Sequence, residues 1–339
     1  MRAIPVVAIP LVAALLFCQG LNQHLLSICN ESPAGIAEVS LDSPSIQSVT
    51  PEDMADVAGT STEAMPTYVP NASYFDKQWA FGKVRAGQAV SDNPEILVAI
   101  LDTGIDLQHE DLAGKVAGGV NLTDSPTASD LLGHGTHVAG IIAATANNGI
   151  GIAGLAPNSR LLNVKAADDS GMVWPSDIAK GIVWAVDNGA SIINMSLLVP
   201  ASSPVLEEAV DYAWSRGVVL IAAAGNNIKS IPVYPACYPK VIAVAATDID
   251  GSLWAGSNYG DWVDVYAPGV EIYSTLPGNE YGYKSGTSMA AACVTAAAAL
   301  AFATVTDVNG DGFLNDEVTA TVRALFSMPE FCFAPSPKS

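Results

Sequence analysis

The chain has 339 residues; half are hydrophobic, 14% are charged, and the formal net charge is −20 at pH 7. That length and apolar content suit one large domain with small appendages and exclude a charge-rich disordered chain. Strong acidity repels phosphate backbones and anionic headgroups, so neither nucleic acid nor a membrane surface is expected as a partner.

Met1 and Arg2 precede a continuous apolar run from Ala3 to Phe17. The run is too short for a bilayer span and has the length of a signal core, so residues 1–20 read as a secretion signal. Leu15-Leu16-Phe17-Cys18 is also similar to a lipoprotein attachment signal, although bulky Phe17 stands where a small residue is usual. A lipid anchor is therefore the alternative to free secretion. Residues 21–70 contain no Lys or Arg and scatter acids among Ser, Pro, Thr and Ala, as a prosegment or linker does. Removing the signal leaves Cys29, Cys237, Cys293 and Cys332, which allow three disulfide pairings or buried free thiols.

From Asn71 the texture changes to short apolar runs broken by Gly and Asn. Ile96–Leu101, Leu161–Val164, Ser191–Met195, Val218–Ala223 and Val241–Ala245 read as strands buried on both faces. Helical patterns at His137–Ala146, Asp177–Asn188 and Val205–Arg216 lie between them. Ser203-Pro204 suits a helix start, and Gly189 and Gly217 suit helix stops. Alternation of this kind predicts an α/β fold, a parallel sheet with helices on both faces and its chemistry at the carboxyl ends of the strands.

Three motifs carry that chemistry. Asp102 closes the apolar run Ala99-Ile100-Leu101. His134 lies in Gly133-His134-Gly135-Thr136-His137, at the opening of a helix. Ser288 lies in Gly286-Thr287-Ser288-Met289-Ala290, ahead of an alanine-rich helix whose amide N–H groups and dipole favour developing negative charge. Each alone has a plain structural reading: a loop cap, a core histidine or one of two metal ligands three apart, a helix cap. Together, in the order Asp, His, Ser, they make a nucleophile, its base and the group that orients the base.

From about Tyr74 to Ala303 the chain resembles the subtilases, with further matches at Gly151–Pro157, Ile193–Leu197, Ala222–Asn226 and Val263–Gly269. The resemblance implies a three-layer αβα sandwich around a mostly parallel sheet, a catalytic domain at 71–305, and a serine endopeptidase acting on polypeptides as a secreted monomer. It implies catalytic roles for Asp102, His134 and Ser288, with the Asn226 side chain as an oxyanion donor. It places substrate, as an extended strand, between Ser170-Gly171-Met172 and Ser196-Leu197-Leu198, with Ala224 and Gly225 beside it. Two positions depart from the family pattern: Leu198 and Val199 stand where relatives commonly have two glycines, and Ala292 stands where they commonly have Pro. An inactive scaffold is the alternative that Leu198 and Val199 raise, and an esterase is a further one, because the same triad chemistry serves both.

Two calcium sites are expected. The resemblance implies one at Asp111 and Asn148 with nearby carbonyls. Asp307-Val308-Asn309-Gly310-Asp311-Gly312 matches the start of an EF-hand-like loop, with Asp307, Asn309 and Asp311 as ligands, but its twelfth place is Val318. Residues 306–339 are read as this loop, a helix from Glu317 to Phe326, and a tail.

Overall fold

The strand β1 (Leu97–Asp102) shows how the sheet is made. Val98 and Ile100 join one apolar cluster, and Ala99 and Leu101 join the other. A strand with a core on each side has no wet face, so its sequence is an unbroken apolar run. In the computed structural model, which describes residues 69–84 and 95–327, seven strands form one sheet. Across it they run β2 (Val116–Asn121), β3 (Arg160–Lys165), β1, β4 (Ile192–Met195), β5 (Val219–Ala223), β6 (Val241–Thr247) and β7 (Val265–Pro268). Every pairing in this sheet is parallel.

A one-turn helix, α1 (Ala80–Lys83), precedes the sheet. The helices α2 (His134–Ala143), α5 (Thr287–Ala301) and α6 (Asn315–Leu325) contribute to one cluster. The helices α3 (Pro175–Asp187) and α4 (Pro204–Trp214) contribute to the other. The result is the expected three-layer αβα sandwich. A hairpin of β8 (Ile272–Leu276) and β9 (Glu280–Lys284) packs against α2.

After β1 the chain builds β2 and β3 on one side, then crosses to build β4 through β7 on the other. The order reverses between β1 and β4, and the carboxyl ends at such a reversal leave a crevice. Register makes the neighbours explicit: Leu101 pairs with Met195, and Asp102 with Lys165. Asp102 and the segment leaving β4 therefore share one edge.

The helix α5 runs through the core with all fifteen residues buried, many of them alanine. Small side chains let it lie close to the sheet and lose little rotamer entropy on burial. Helix α2 starts three residues earlier than its pattern suggests, because Gly133 makes the entry turn at φ +79°. Strand β2 escaped the apolar-run reading because it is glycine-rich. A Cβ on Gly119 would stand 2.7 Å from the Asn163 carbonyl oxygen.

The boundary expected at 305 does not separate two cores. Val318 and Val322 are fully buried in the same cluster as β5 and α5, and the Phe313 ring lies over Gly217. Helix α6 also begins two residues before the expected Glu317. The Tyr234–Pro235 peptide bond is cis. Cys237 and Cys293 are free thiols, and burial pushes the Cys293 thiol up to about 12. The expected signal, nearly all of the acidic segment, Cys29 and Cys332 lie outside the described residues. Among the described residues no helix is long and apolar enough to cross a membrane.

Candidate active site

Asp102 is the last residue of β1 and is 2% exposed. Its Oδ1 lies 2.7 Å from His134 Nδ1 and accepts the Thr103 amide at 2.7 Å. His134, the first residue of α2, keeps 28% of its side chain exposed, so the ring faces both the carboxylate and solvent. Burial disfavours the imidazolium, but the charge and hydrogen bond of Asp102 favour it and prevail, raising the His134 pKa above its ordinary 6.5. His137 is different. Its Nε2 donates to the Gly282 carbonyl at 3.1 Å, and burial pulls its pKa down to about 3. It is a neutral anchor for the β8–β9 hairpin.

Three residues that the sequence reading passed over hold the pair in place. Asp130 is 1% exposed. Its Oδ1 accepts Thr103 Oγ1 (2.8 Å) and the amides of Leu132 (3.0 Å) and Gly133 (2.8 Å). Its Oδ2 accepts the Thr136 amide (2.8 Å) and hydroxyl (2.7 Å). Thr103 Oγ1 in turn accepts the Gly135 amide at 3.0 Å. A Cβ on Gly135 would meet the Gly104 carbonyl at 2.1 Å, so this glycine permits the approach of β1 and α2. Lys165 is fully buried, donates to the Thr103 carbonyl and pairs with Asp169 Oδ1 at 2.9 Å. Spacing alone could not find these three, because their partners are up to 62 residues away.

Ser288 is the second residue of α5. Its Oγ donates to the Ser196 carbonyl at 3.4 Å, and its own carbonyl accepts Ser196 Oγ at 3.1 Å. Asn194 Nδ2 donates to Ser196 Oγ (3.0 Å), and Thr295 Oγ1 donates to Asn194 Oδ1 (2.9 Å). This chain ties the end of β4 to α5 and buries the Asn194-Met195-Ser196 glycosylation sequon. Asn226 Oδ1 accepts the amide and hydroxyl of Thr287, each at 2.9 Å. The amide NH₂ is thereby turned toward Gly286, where a Cβ would stand 3.1 Å from Nδ2. With Met289 and Ala290 amides bonded to the Gly286 carbonyl, the Ser288 N–H is left as an orphan of the helix N-terminus.

The expected substrate flanks sort into two kinds. Ser170, Gly171 and Met172 are exposed at the tip of a tight turn with Gly171 at φ +83°. Asp168 Oδ1 accepts Ser170 Oγ (2.7 Å) and the amides of Ser170 (2.8 Å) and Met172 (2.9 Å), and these bonds, the hydroxyl first, lower its pKa. Ser196, Leu197 and Leu198 instead leave β4 at the reversal point, facing Ala224 and Gly225, which leave β5. Asp102, His134, Ser288 and Asn226 thus converge on one edge from β1, α2, α5 and the end of β5.

The subtilase-family sequence model matches residues 93–323. The chain belongs to the subtilase family. It is 50% identical over 234 residues to a thermophilic serine proteinase from Bacillus sp. (strain AK1), covering 69% of this chain and 56% of that one. It is 45% identical over 237 residues to thermitase from Thermoactinomyces vulgaris, covering 69% of this chain and 85% of that one. It is 44% identical over 226 residues to subtilisin Savinase from Lederbergia lenta, covering 66% of this chain and 82% of that one. By family this subtilase is a subtilisin-like serine protease.

At both expected calcium sites of the subtilase the candidate side chains take part in hydrogen bonds. Asp111 is fully buried, and Asn148 Nδ2 donates to its Oδ1 at 2.8 Å. The Ile152 amide (2.8 Å) and Tyr281 hydroxyl (3.0 Å) donate to its Oδ2. Asn148 Oδ1 accepts the Ile150 amide at 3.2 Å, so an N–H group faces the carboxylate where a cation would need oxygen. In the C-terminal loop Asp307 accepts the Gly310 and Gly312 amides, and Asp311 accepts that of Phe313. Asn309 donates to Asp311 and Asp316. Asn315, at the ninth place, turns away to the Trp214 carbonyl, and Val318, at the twelfth, is core. Among the described residues no group of three or more His, Cys, Asp or Glu could hold a metal ion.

Two outcomes are expected. Asp111→Ala lowers the unfolding midpoint equally in calcium and in a chelator; a loss seen only in calcium would assign the carboxylate to a metal. Asp130→Ala strands several buried donors, costing on the order of 3 kcal/mol in urea unfolding and slowing active-site labelling.

Proposed function

We propose that this chain is a secreted endopeptidase that hydrolyses polypeptides, as a monomer, through Asp102, His134 and Ser288. The observation that carries the reading is the 2.7 Å contact of His134 Nδ1 with buried Asp102, on the same sheet edge as a serine at a helix N-terminus. Asp102 engages Nδ1, which leaves Nε2 as the ring nitrogen available to take a proton.

Ser288 Oγ attacks the substrate carbonyl carbon while its proton passes to His134 Nε2. The Ser288–carbon bond forms, and the carbonyl π electrons move onto oxygen. The Ser288 N–H and Asn226 Nδ2 face that oxyanion. Its collapse expels the amine, which takes the proton from His134 and leaves an acyl-enzyme. Water, deprotonated by His134, then releases the acid and restores Ser288. At rest Ser288 Oγ donates to the Ser196 carbonyl at 3.4 Å, a long bond that the hydroxyl gives up when it turns to His134 Nε2 for the attack. The Ser170–Met172 turn and the Ser196–Leu198 segment receive the peptide in extended form. The apolar run at 3–17 supports export.

Purified protein should be labelled by a fluorophosphonate and should digest casein, and Ser288→Ala should abolish both. Labelling without casein digestion would favour an esterase. The pH profile has a definite sign. His134 must be neutral to accept a proton, and Asp102 holds its proton to higher pH. So kcat/KM should fall on the acid side with a midpoint above 6.5. Asp102→Asn should move that midpoint down and lower kcat roughly 10⁴-fold.

A further inference from the structure

The side chain that precedes the cut has a defined place to go. Ser288 Oγ rests on the Ser196 carbonyl, and Asn226 Nδ2 faces Gly286 at the start of α5. A peptide carbonyl held between these groups has its Cα over the gap between the segments leaving β4 and β5. Those strands are direct neighbours, with Met195 paired to Ala222. The side chain on that Cα must descend between Ser196–Leu198 on one wall and Ala224–Gly225 on the other.

Leu198 already reaches across this gap. Its Cδ2 lies 2.9 Å from the point where a Cβ on Gly225 would stand. The leucine thus touches the opposite wall, and contact is possible because that wall is glycine. The backbone of both walls is held by hydrogen bonds. Behind Gly225, Asn258 Nδ2 donates to the Ala224 carbonyl at 2.8 Å, while its Oδ1 accepts the Asn227 and Lys229 amides, each at 3.0 Å. On the other side, Val199 exchanges backbone hydrogen bonds with Tyr234 at 2.8 and 3.0 Å. Val199 itself is buried, and Leu198 packs half-buried on the apolar cluster beneath. An aromatic side chain entering here must displace an isobutyl group that is already packed.

Resting on the endopeptidase reading above, we propose that Leu198 is a specificity-determining residue that confines cleavage to peptide bonds after small side chains such as Gly, Ala and Ser. The substrates are then polypeptides with small residues before the cut.

The test uses fluorogenic peptides that differ in one residue, Ala or Phe before the cleaved bond, with wild type, Leu198→Gly and Leu198→Ala. Wild type should favour the Ala peptide roughly 100-fold in kcat/KM, the size expected when a pocket cannot admit a group. Leu198→Gly should bring the ratio to about one or invert it, and Leu198→Ala should fall between. If the glycine variant does not fold, the alanine variant and the wild-type ratio still decide. Fluorophosphonate labelling of wild type separates the two readings. No labelling overturns both. Labelling with equal cleavage of the Ala and Phe peptides, or with a ratio unmoved in the folded variants, overturns the role of Leu198 and leaves the endopeptidase standing.

Discussion

Asp130 is almost wholly buried, and its two oxygens collect hydrogen bonds from Thr103, from the amides of Leu132 and Gly133, and from both the amide and hydroxyl of Thr136. These donors come from both sides of His134 and from the residue after Asp102. One carboxylate therefore joins the end of β1 to the start of α2. Losing any oxygen would leave buried donors unpaired, which costs more than the net gain of a single hydrogen bond. The geometry of the His134–Asp102 pair is inherited from this junction, with Thr103 as the shared link and Gly135 small enough to let the elements meet.

The second half of the site depends on a different device. Helix α5 is buried along its whole length and is rich in alanine, so its N-terminus can be pressed against the sheet edge without bulky side chains intervening. Asn194, Ser196 and Thr295 pin it to β4, while Asn226 and Gly225 bond to Thr287 and pin it to the end of β5. Ser288 is thus set by β4 and β5, and His134 by β1. The two halves meet because β1 and β4 flank the point where strand order reverses. The same arrangement places Leu198, on the segment leaving β4, beside Ser288 and across from Gly225.

Much of this was legible in the residues. Runs such as Val241–Ala245 announce strands buried on both faces, and the Asp102, His134 and Ser288 motifs are dense enough to point to a family. Strand β2 was not legible, because Gly118 and Gly119 dilute its apolar signal and their necessity appears only against Asn163. Asp130, Thr103 and Lys165 were not legible, because a buried polar residue is recognised by partners distant in sequence. The Asp307–Asp311 run looked like an ion loop, yet Asn315 and Val318, needed to complete it, are taken up by Trp214 and by the core. The same burial makes α6 part of the main domain rather than an appendage.

What the sequence alone determined is the class of fold, the family and the chemical types at the site, because periodicity and motif chemistry are local properties. The tertiary structure decided how the two histidines of one motif differ. His134 stands beside Asp102, whereas His137, three residues on, is buried against Gly282 and kept neutral. It also decided what Leu198 faces. A leucine in place of a glycine has no meaning until the opposite wall, Gly225, is brought within contact of it by the pairing of β4 with β5.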